Sequence, residues 1–223
     1  MKIDKDYSWS THIPLLNAIL DVFNPQLILE LGMGLYSTKL FLDYNPKRLI
    51  CIEQDKKWMN YIKDMYAIND SDVAMHYMHD DIKIGTFLRQ LTAEQKEEIS
   101  RYYRLVGRVT TSNSLTPRLL FVDNYTCCRT IAINALYEHF DVIVYHDCEP
   151  NAAIYCYEYK FDENLLINYN HYILRTPRSW TGCFVRREFN NYSELESDIE
   201  PYIEQYCIEH DIDLGKVFLF NDN

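Results

Sequence analysis

The sequence predicts an α/β fold in which a mostly parallel sheet is covered by helices on both faces. Short apolar runs alternate with longer amphipathic stretches, a pattern typical of strands joined by crossover helices. The first run, from Leu27 to Leu31, is apolar except for one glutamate, so this strand should be buried on both faces. A chain of 223 residues can bury a full core. We therefore expect residues 1–223 to form a single domain.

The hydrophobic pattern indicates seven strands and the helices between them. The strands are expected in QLILEL (26–31), RLICIE (48–53), VAMHYMHDD (73–81), LLFVD (119–123), DVIVYHD (141–147), HYILRT (171–176) and GCFVRRE (182–188). The helices are expected in HIPLLNAILDVF (12–23), STKLFLDY (37–44), KKWMNYIKDMYAI (56–68), IGTFLRQL (84–91), RTIAINALYEHF (129–140), residues 152–161 and a last segment from Ser193. The third strand alternates in polarity, which indicates a position near an edge of the sheet.

Residues 92–118 interrupt this alternation. Their first half is a charged amphipathic helix, and their second half is a polar loop that ends at Pro117. A long connection within a compact fold is usually a lid, a binding loop or an insertion. We therefore expect residues 92–118 to be an insertion or lid within the domain.

Composition narrows the class of protein. No stretch approaches the roughly 18 apolar residues of a membrane span, and the first residues lack the apolar segment of a signal peptide. The seven cysteines include no Cys-x-x-Cys pair, which favours reduced thiols and a cytoplasmic location. A net charge of −11 argues against a nucleic-acid partner. The sequence does not indicate an oligomeric state.

A glycine turn after the first strand indicates a ligand site. The stretch LILELGMGLYST passes from an apolar run through Glu30 to Gly32 and Gly34, and a helix is expected to open near Ser37 and Thr38. Glycines permit positive φ and let a ligand approach the backbone, while the first N–H groups of a helix attract a negative group. We therefore expect a ligand with an anionic end at this turn.

Two nucleotide-like ligands fit such a turn: a dinucleotide and S-adenosylmethionine (SAM). A dinucleotide site is typical of Gly-x-Gly-x-x-Gly, and here Ser37 replaces the third glycine. Glu30 would repel a pyrophosphate but attract the ammonium group of SAM, directly or through water, while the turn at Ser37 and Thr38 would bind its carboxylate. Glu53, after the second strand, would accept from the ribose hydroxyls. Asp81, after the third strand, would bind the adenine amine, and Asp123, after the fourth, is expected at the cofactor as well.

These motifs resemble those of the class I SAM-dependent methyltransferases. ELGMG is similar to the first motif of that family, CIEQD to the second, HDDI to the third and LLFVDN to the fourth. The resemblance runs from Trp9 to Arg187 and is strongest to sugar and small-molecule O-methyltransferases. In that group the motif LELGxGxxST begins the fold, and a tryptophan (here Trp58) follows the acid that binds the ribose. A VD…R…HD series ends the shared region. It implies a Rossmann-like, doubly wound, seven-stranded sheet, SAM as cofactor and methylation of a hydroxyl on a small acceptor such as a sugar or glycan.

Candidates for the chemistry follow the fourth and fifth strands, because ligands of an open parallel sheet bind beyond the carboxyl ends of its strands. Asp123, His146 and Asp147 are the expected catalytic residues, and Arg129 and Glu149 are expected to hold the acceptor. In one mechanism His146 or Asp147 acts as general base. In another, Asp123, Asp147 and Glu149 bind Mg²⁺ or a similar ion that activates the hydroxyl. The family's Asp-Asp or Asp-Asn pair after strand five is Asp-Cys here, which favours the mechanism without a metal.

Each of these residues also has a structural alternative. Asp123 could cap the next helix, Arg129 could neutralise Asp123 instead of holding the acceptor, and His146 could be a hydrogen-bonded structural histidine. Trp9 and His12 could fold over the cofactor or simply pack. For the whole chain, the alternatives are a methyltransferase fold that binds without catalysis, and a NAD-dependent oxidoreductase, which the missing third glycine and the absence of a Tyr-x-x-x-Lys pair disfavour.

Overall fold

Seven α-helices and eight β-strands lie in the residues that the computed structural model describes, which are 10–69, 73–78, 91–111, 114–149, 159–189 and 192–221. The strands are β1 (Leu27–Leu31), β2 (Arg48–Glu53), β3 (Ala74–Tyr77), β4 (Arg118–Val122), β5 (Val142–His146), β6 (Tyr169–Arg175), β7 (Trp180–Arg186) and β8 (Phe218–Asn221). The helices are α1 (Ile13–Phe23), α2 (Ser37–Tyr44), α3 (Lys56–Met65), α4 (Ala93–Thr110), α5 (Thr126–Leu136), α6 (Glu163–Asn168) and α7 (Tyr192–His210).

All eight strands belong to one sheet with the order β3-β2-β1-β4-β5-β7-β6-β8. The five strands from β3 to β5 are parallel, whereas the β5–β7, β7–β6 and β6–β8 pairs are antiparallel. The predicted doubly wound, mostly parallel sheet is therefore confirmed, and β3 lies at an edge as expected.

Helices cover both faces of the sheet because each strand buries side chains on both sides. Ile28 and Cys51 pack into a core with α1, α2, α3 and α7, while Leu29, Leu31 and Ile50 pack into a second core with α4, α5 and α6. Successive side chains of a strand point to opposite faces. The continuous apolar runs of the sequence thus follow from burial on both sides.

The sheet has eight strands and not the predicted seven. The additional strand, β8, pairs with β6 and leaves Phe218 41% exposed. β8 lies in the apolar run VFLF (217–220), but this run is only four residues long and follows the last predicted helix, so no strand was expected there. The six-residue helix α6 was also missed, although Asp162 caps it by accepting from the backbone N–H of Asn164 at 2.8 Å.

Most of residues 92–118 forms α4, whose first turn has a capping box between Thr92 and Gln95. The helix packs into the layer above β1 and β4, and its Tyr103 is only 1% exposed. The helix therefore contributes to the core. A lid function for this segment stays a prediction.

The switch point of the sheet lies between β1 and β4, because the chain runs outward from β1 to β2 and β3 on one side and from β4 to β5 on the other. Open α/β sheets bind ligands beyond the carboxyl ends of the strands at such a point. The glycine turn after β1 and Asp123 after β4 both lie there. None of the described helices is long and apolar enough to span a membrane.

Gly182→Ala should destabilise the fold. An added Cβ would lie 2.1 Å from Cζ and 2.4 Å from the hydroxyl oxygen of Tyr145. Tyr145 is 1% exposed and hydrogen-bonded to Nε2 of His171 at 2.6 Å, so its ring has no room to move aside. We expect a loss of about 1–3 kcal/mol in the free energy of unfolding, measured by urea denaturation. Gly215→Ala is the control, because its Cβ would meet only Asp213 at 3.5 Å. Equal losses in the two variants would contradict this account of Gly182.

Candidate active site at the carboxyl edge of the sheet

The glycine turn starts in direct contact with the end of β4. Gly32 has φ 86°, and its N–H donates to the carbonyl of Ile52 at 2.8 Å. A Cβ at Gly32 would lie 2.4 Å from the carbonyl oxygen of Asp123, so no larger residue fits. Gly32 thus uses the positive φ that a glycine permits. The φ of Gly34 is not positive, and a Cβ there would lie 2.6 Å from Oγ of Ser37.

The Glu30 carboxylate is fully buried beneath this turn. Oε1 accepts from the Ser37 hydroxyl at 2.7 Å, and Oε2 accepts from the Thr38 hydroxyl at 2.9 Å and from the Cys51 thiol at 3.2 Å. The Thr38 hydroxyl in turn accepts from the backbone N–H of Gly34 at 3.0 Å. Burial raises the pKa of Glu30 to about 7, although these side-chain hydrogen bonds oppose the change. Glu30 thereby fixes the turn to the start of α2.

Glu53 holds the same turn from the end of β2. Oε2 accepts from the backbone N–H of Met33 at 2.8 Å, while Oε1 accepts from those of Gln54 at 2.6 Å and Asp55 at 2.9 Å. Burial raises the pKa of this carboxyl, and the backbone hydrogen bonds oppose that effect. A carboxylate oxygen has about two acceptor positions, so Oε2 can accept one more hydrogen bond, as a ribose ligand requires.

Two aromatic side chains of the α3 region complete the support of the turn. Nε1 of Trp58 donates to the carbonyl of Met33 at 2.6 Å, and the Tyr66 hydroxyl donates to the carbonyl of Leu35. Trp58 was part of the family resemblance. Tyr66 was missed, since a tyrosine at the end of an amphipathic helix gives no sequence signal for a contact 31 residues away.

A second group of polar side chains meets beyond the ends of β4 and β5, where Asp123, Arg129, His146 and Asp147 were expected. Nη2 of Arg129 donates to Oδ1 of Asp123 at 2.7 Å, and Nη1 donates to Oδ2 of Asp147 at 2.8 Å. Nδ1 of His146 lies 3.4 Å from Oδ1 of Asp123 and 3.5 Å from Oδ1 of Asp147. The imidazole and the guanidinium thus share the same two carboxylates. We call these four side chains the acidic cluster.

Burial and charge act in opposite directions on the pKa values of the acidic cluster. Burial alone would raise the pKa of Asp123 and of Asp147, but His146 and Arg129 hold both below their ordinary values. Burial alone would lower the pKa of His146, but the two carboxylates raise it above its ordinary value. The cluster therefore favours the ionised form of both carboxylates and raises the basicity of the His146 imidazole.

Arg129 and Glu149, the expected acceptor-binding residues, both form hydrogen bonds within the protein. Arg129 is 5% exposed and also donates to the backbone carbonyls of Asn124 and His146, each at 2.8 Å. Oε2 of Glu149 accepts from the backbone N–H of Trp180 at 3.1 Å and from the Ser179 hydroxyl at 3.3 Å.

Asp147 takes a backbone conformation that is unusual for an aspartate, with φ 57°. Its Oδ1 accepts from the hydroxyl of Ser179, the residue before β7, at 2.7 Å, which orients the carboxylate. Ser179 was missed in the sequence, where nothing distinguishes it from other loop serines.

The segment before α1 adds two residues to the acidic cluster. The Thr11 hydroxyl and Nε2 of His146 are hydrogen-bonded at 2.7 Å. His12 is 2% exposed, and its ring lies 5.1 Å from Phe121 and edge-on to His146 at 4.9 Å. Neither ring nitrogen of His12 has a hydrogen-bond partner in the described part of the chain. Burial is the main reason that the pKa of His12 falls to about 3, so its imidazole is neutral.

Three of the described residues place metal-binding atoms within 4.8 Å of one another: His12, Asp123 and His146. The alternative metal set considered from the sequence, Asp123, Asp147 and Glu149, shares only Asp123 with this group. Asp81, the expected adenine ligand, and Trp9 lie outside the described residues.

Comparison with known proteins shows the fold. No family model and no curated protein sequence matches the chain. The N-methyltransferase NodS from Bradyrhizobium japonicum WM9 is similar over 82% of this chain and 98% of its own, with a TM-score of 0.51 and 13% identity. NodS in complex with S-adenosyl-L-homocysteine (SAH) is similar over 82% of this chain and 89% of its own, with a TM-score of 0.52 and 12% identity.

Spermidine synthase from Thermotoga maritima is similar over 92% of this chain and 67% of its own, with a TM-score of 0.53 and 12% identity. The chain therefore has the class I fold of SAM-dependent methyltransferases, a fold that spermidine synthase shares.

Stability should depend on pH through Glu30. Its folded pKa of about 7 lies above the ordinary value of 4.5, so the folded state holds a proton that the unfolded chain releases between these pH values. The stabilising contribution is complete below about pH 4.5 and is lost as the pH rises through 7. Glu30 contributes up to about 3 kcal/mol to the free energy of unfolding in this way. Glu30→Gln mimics the protonated form, so we expect a flatter dependence of unfolding free energy on pH in urea denaturation from pH 4.5 to 7.5.

Glu98→Gln, an exposed substitution on α4, serves as the control and should keep the wild-type dependence. A Glu30→Gln protein with the full wild-type slope would show that another group is responsible.

Proposed function

We propose that this chain is a SAM-dependent methyltransferase that acts on a hydroxyl of a small acceptor such as a sugar or glycan. One observation carries the proposal. The glycine turn and the acidic cluster lie at the same carboxyl edge of the sheet and touch through Gly32 and the backbone of Asp123. A donor seated at the turn would therefore present its reactive end to the cluster. NodS, which has the same fold, binds SAH.

The donor would lie over the glycine turn. The first N–H groups of α2 attract its carboxylate, since the N-terminus of a helix carries a partial positive charge. The hydroxyls of Ser37 and Thr38 point to Glu30, so the backbone of the turn would make this contact. The ammonium group would lie over Glu30 and favour its ionised form, and Oε2 of Glu53 would accept from a ribose hydroxyl.

The acceptor would lie against the acidic cluster. In methyl transfer the acceptor oxygen attacks the methyl carbon, the carbon–sulfur bond breaks, SAH leaves as a neutral thioether and the hydroxyl proton is released. Holding the oxygen in line with that bond supplies much of the rate enhancement, and removing the proton supplies more. His146 lies between two carboxylates that stabilise its protonated form, so the cluster is suited to removing the hydroxyl proton.

Fold similarity alone leaves the acceptor atom and the transferred group open. NodS is an N-methyltransferase, and spermidine synthase has the same fold. A panel of acceptors must therefore include amines as well as sugars.

The donor site predicts a ranking of ligand affinities. We expect isothermal titration calorimetry to detect binding of SAM and SAH but not of NAD. Glu53→Gln should weaken SAM binding about 10–100-fold, because a hydrogen bond to a charged group contributes about 1.5–3 kcal/mol. Asp147→Asn should leave SAM affinity near that of the wild type, since Asp147 lies in the acidic cluster and not at the turn. Absence of SAM and SAH binding to the wild type would refute the proposed function.

The acidic cluster predicts a separate effect on turnover. Asp147→Asn should lower SAH formation at least about 100-fold, because the cluster loses one of the charges that stabilise protonated His146. Asparagine tolerates the left-handed conformation of residue 147, so the fold should be preserved. SAH release is measured on the panel of sugars and amines with saturating SAM. Wild-type turnover by this variant would contradict the assignment of the cluster to the acceptor.

A further inference from the structure

We propose that His12, Asp123 and His146 form a binding site for a divalent transition-metal ion, with Zn²⁺ as the best match. Two imidazoles and one carboxylate favour zinc, cobalt, nickel or iron over magnesium and calcium, which prefer oxygen ligands. The proposed site shares two residues with the acidic cluster, but it does not depend on the binding of SAM.

The spacing of the ligand atoms suits a single ion. Bonds of about 2.0–2.1 Å in a tetrahedral zinc site place neighbouring ligand atoms about 3.4 Å apart. Nδ1 of His146 and Oδ1 of Asp123 are already 3.4 Å apart. All three ligand atoms lie within 4.8 Å of one another, so rotation of the His12 side chain would complete the set. The two imidazoles meet edge-on with centroids 4.9 Å apart, as two rings that share an ion can do.

His12 gives independent support for a ligand at this position. Its ring is 2% exposed, and neither nitrogen has a hydrogen-bond partner among the described residues. A buried polar group without a partner typically costs about 1–3 kcal/mol. A metal ion would satisfy one of these nitrogens.

The surroundings of His146 resemble the support that metal-bound histidines require. Such a histidine generally donates its second N–H to an oxygen, which fixes the tautomer. Nε2 of His146 is hydrogen-bonded to the Thr11 hydroxyl at 2.7 Å, which would leave Nδ1 for the ion. The Asp123 side chain is 23% exposed, so the ion has a path to solvent and a position for a further ligand.

The local charge is compatible with a divalent cation. Among the described residues, the charged and titratable side chains around the site include Asp123, Asp147, Arg129, His146, His12 and Tyr159. The guanidinium balances one of the two carboxylates, which leaves one negative charge to attract the cation. With the metal bound, His146 would be a ligand and not a base. The ion would then lower the pKa of an acceptor hydroxyl bound to it.

Metal titration of the purified chain tests the site without any activity assay. Protein stripped with EDTA is titrated with Co²⁺, whose visible absorption reports coordination by protein ligands, and with Zn²⁺ by calorimetry. We expect one ion per chain. Loss of a supporting partner of a ligand already lowers metal affinity about 10–100-fold. Removing a ligand in His12→Ala should therefore lower Zn²⁺ affinity at least about 100-fold and abolish the Co²⁺ absorption.

His76→Ala is the matched control, because this histidine lies exposed on β3, and it should bind Zn²⁺ like the wild type. Asp123→Asn provides a second ligand variant if His12→Ala fails to fold by circular dichroism. Binding of SAM to His12→Ala, measured in parallel, separates loss of the metal site from failure of the proposed function. Absence of Co²⁺ absorption in the wild type, or equal binding in wild type and ligand variants, would overturn the metal site.

Discussion

The contact between Gly32 and the backbone of Asp123 is the constraint on which the rest of the site depends. It joins the end of β1 to the end of β4 at the switch point of the sheet, where a Cβ at Gly32 would lie 2.4 Å from a carbonyl oxygen. Gly32 also has φ 86°, a conformation that residues other than glycine rarely adopt. The glycine turn and the acidic cluster are thereby held at a fixed separation. Transfer between two bound molecules needs such a fixed geometry, because small displacements reduce rates strongly.

The acidic cluster is stable because its charges satisfy one another. Arg129 is buried, yet it bonds two carboxylates and two backbone carbonyls. Removing one partner of a buried ion pair leaves a charge without compensation, which is strongly destabilising. The same bonds occupy the guanidinium. His146, whose pKa the two carboxylates raise, is therefore the member of the cluster suited to accept a proton from a bound acceptor.

Local sequence patterns predicted every described strand except β8 and every described helix except α6. The helices expected in residues 84–91 and 152–161 lie mostly outside the described residues. Apolar runs such as Leu27–Leu31 predict buried strands, and the carboxyl ends of neighbouring parallel strands necessarily share one edge. This reasoning brought Glu53, Asp123 and His146 to one edge without knowledge of the structure. It did not predict which groups their side chains bind, because those partners depend on packing. Glu30, for example, reaches the hydroxyls of Ser37 and Thr38, which were expected at the ligand.

Contacts between segments far apart in the chain could not be predicted from the sequence, for a different reason. Thr11 and His146 are 135 residues apart, and only the docking of α1 on the sheet brings them together. The burial of His12 beside Phe121 is informative for the same reason. A leucine at this position would pack against the ring without an unsatisfied polar group, so packing alone does not account for an imidazole. The proposed metal ion would be such a partner, with Asp123 and His146 as its other ligands. In that case His12 belongs to the site and does not merely pack against it.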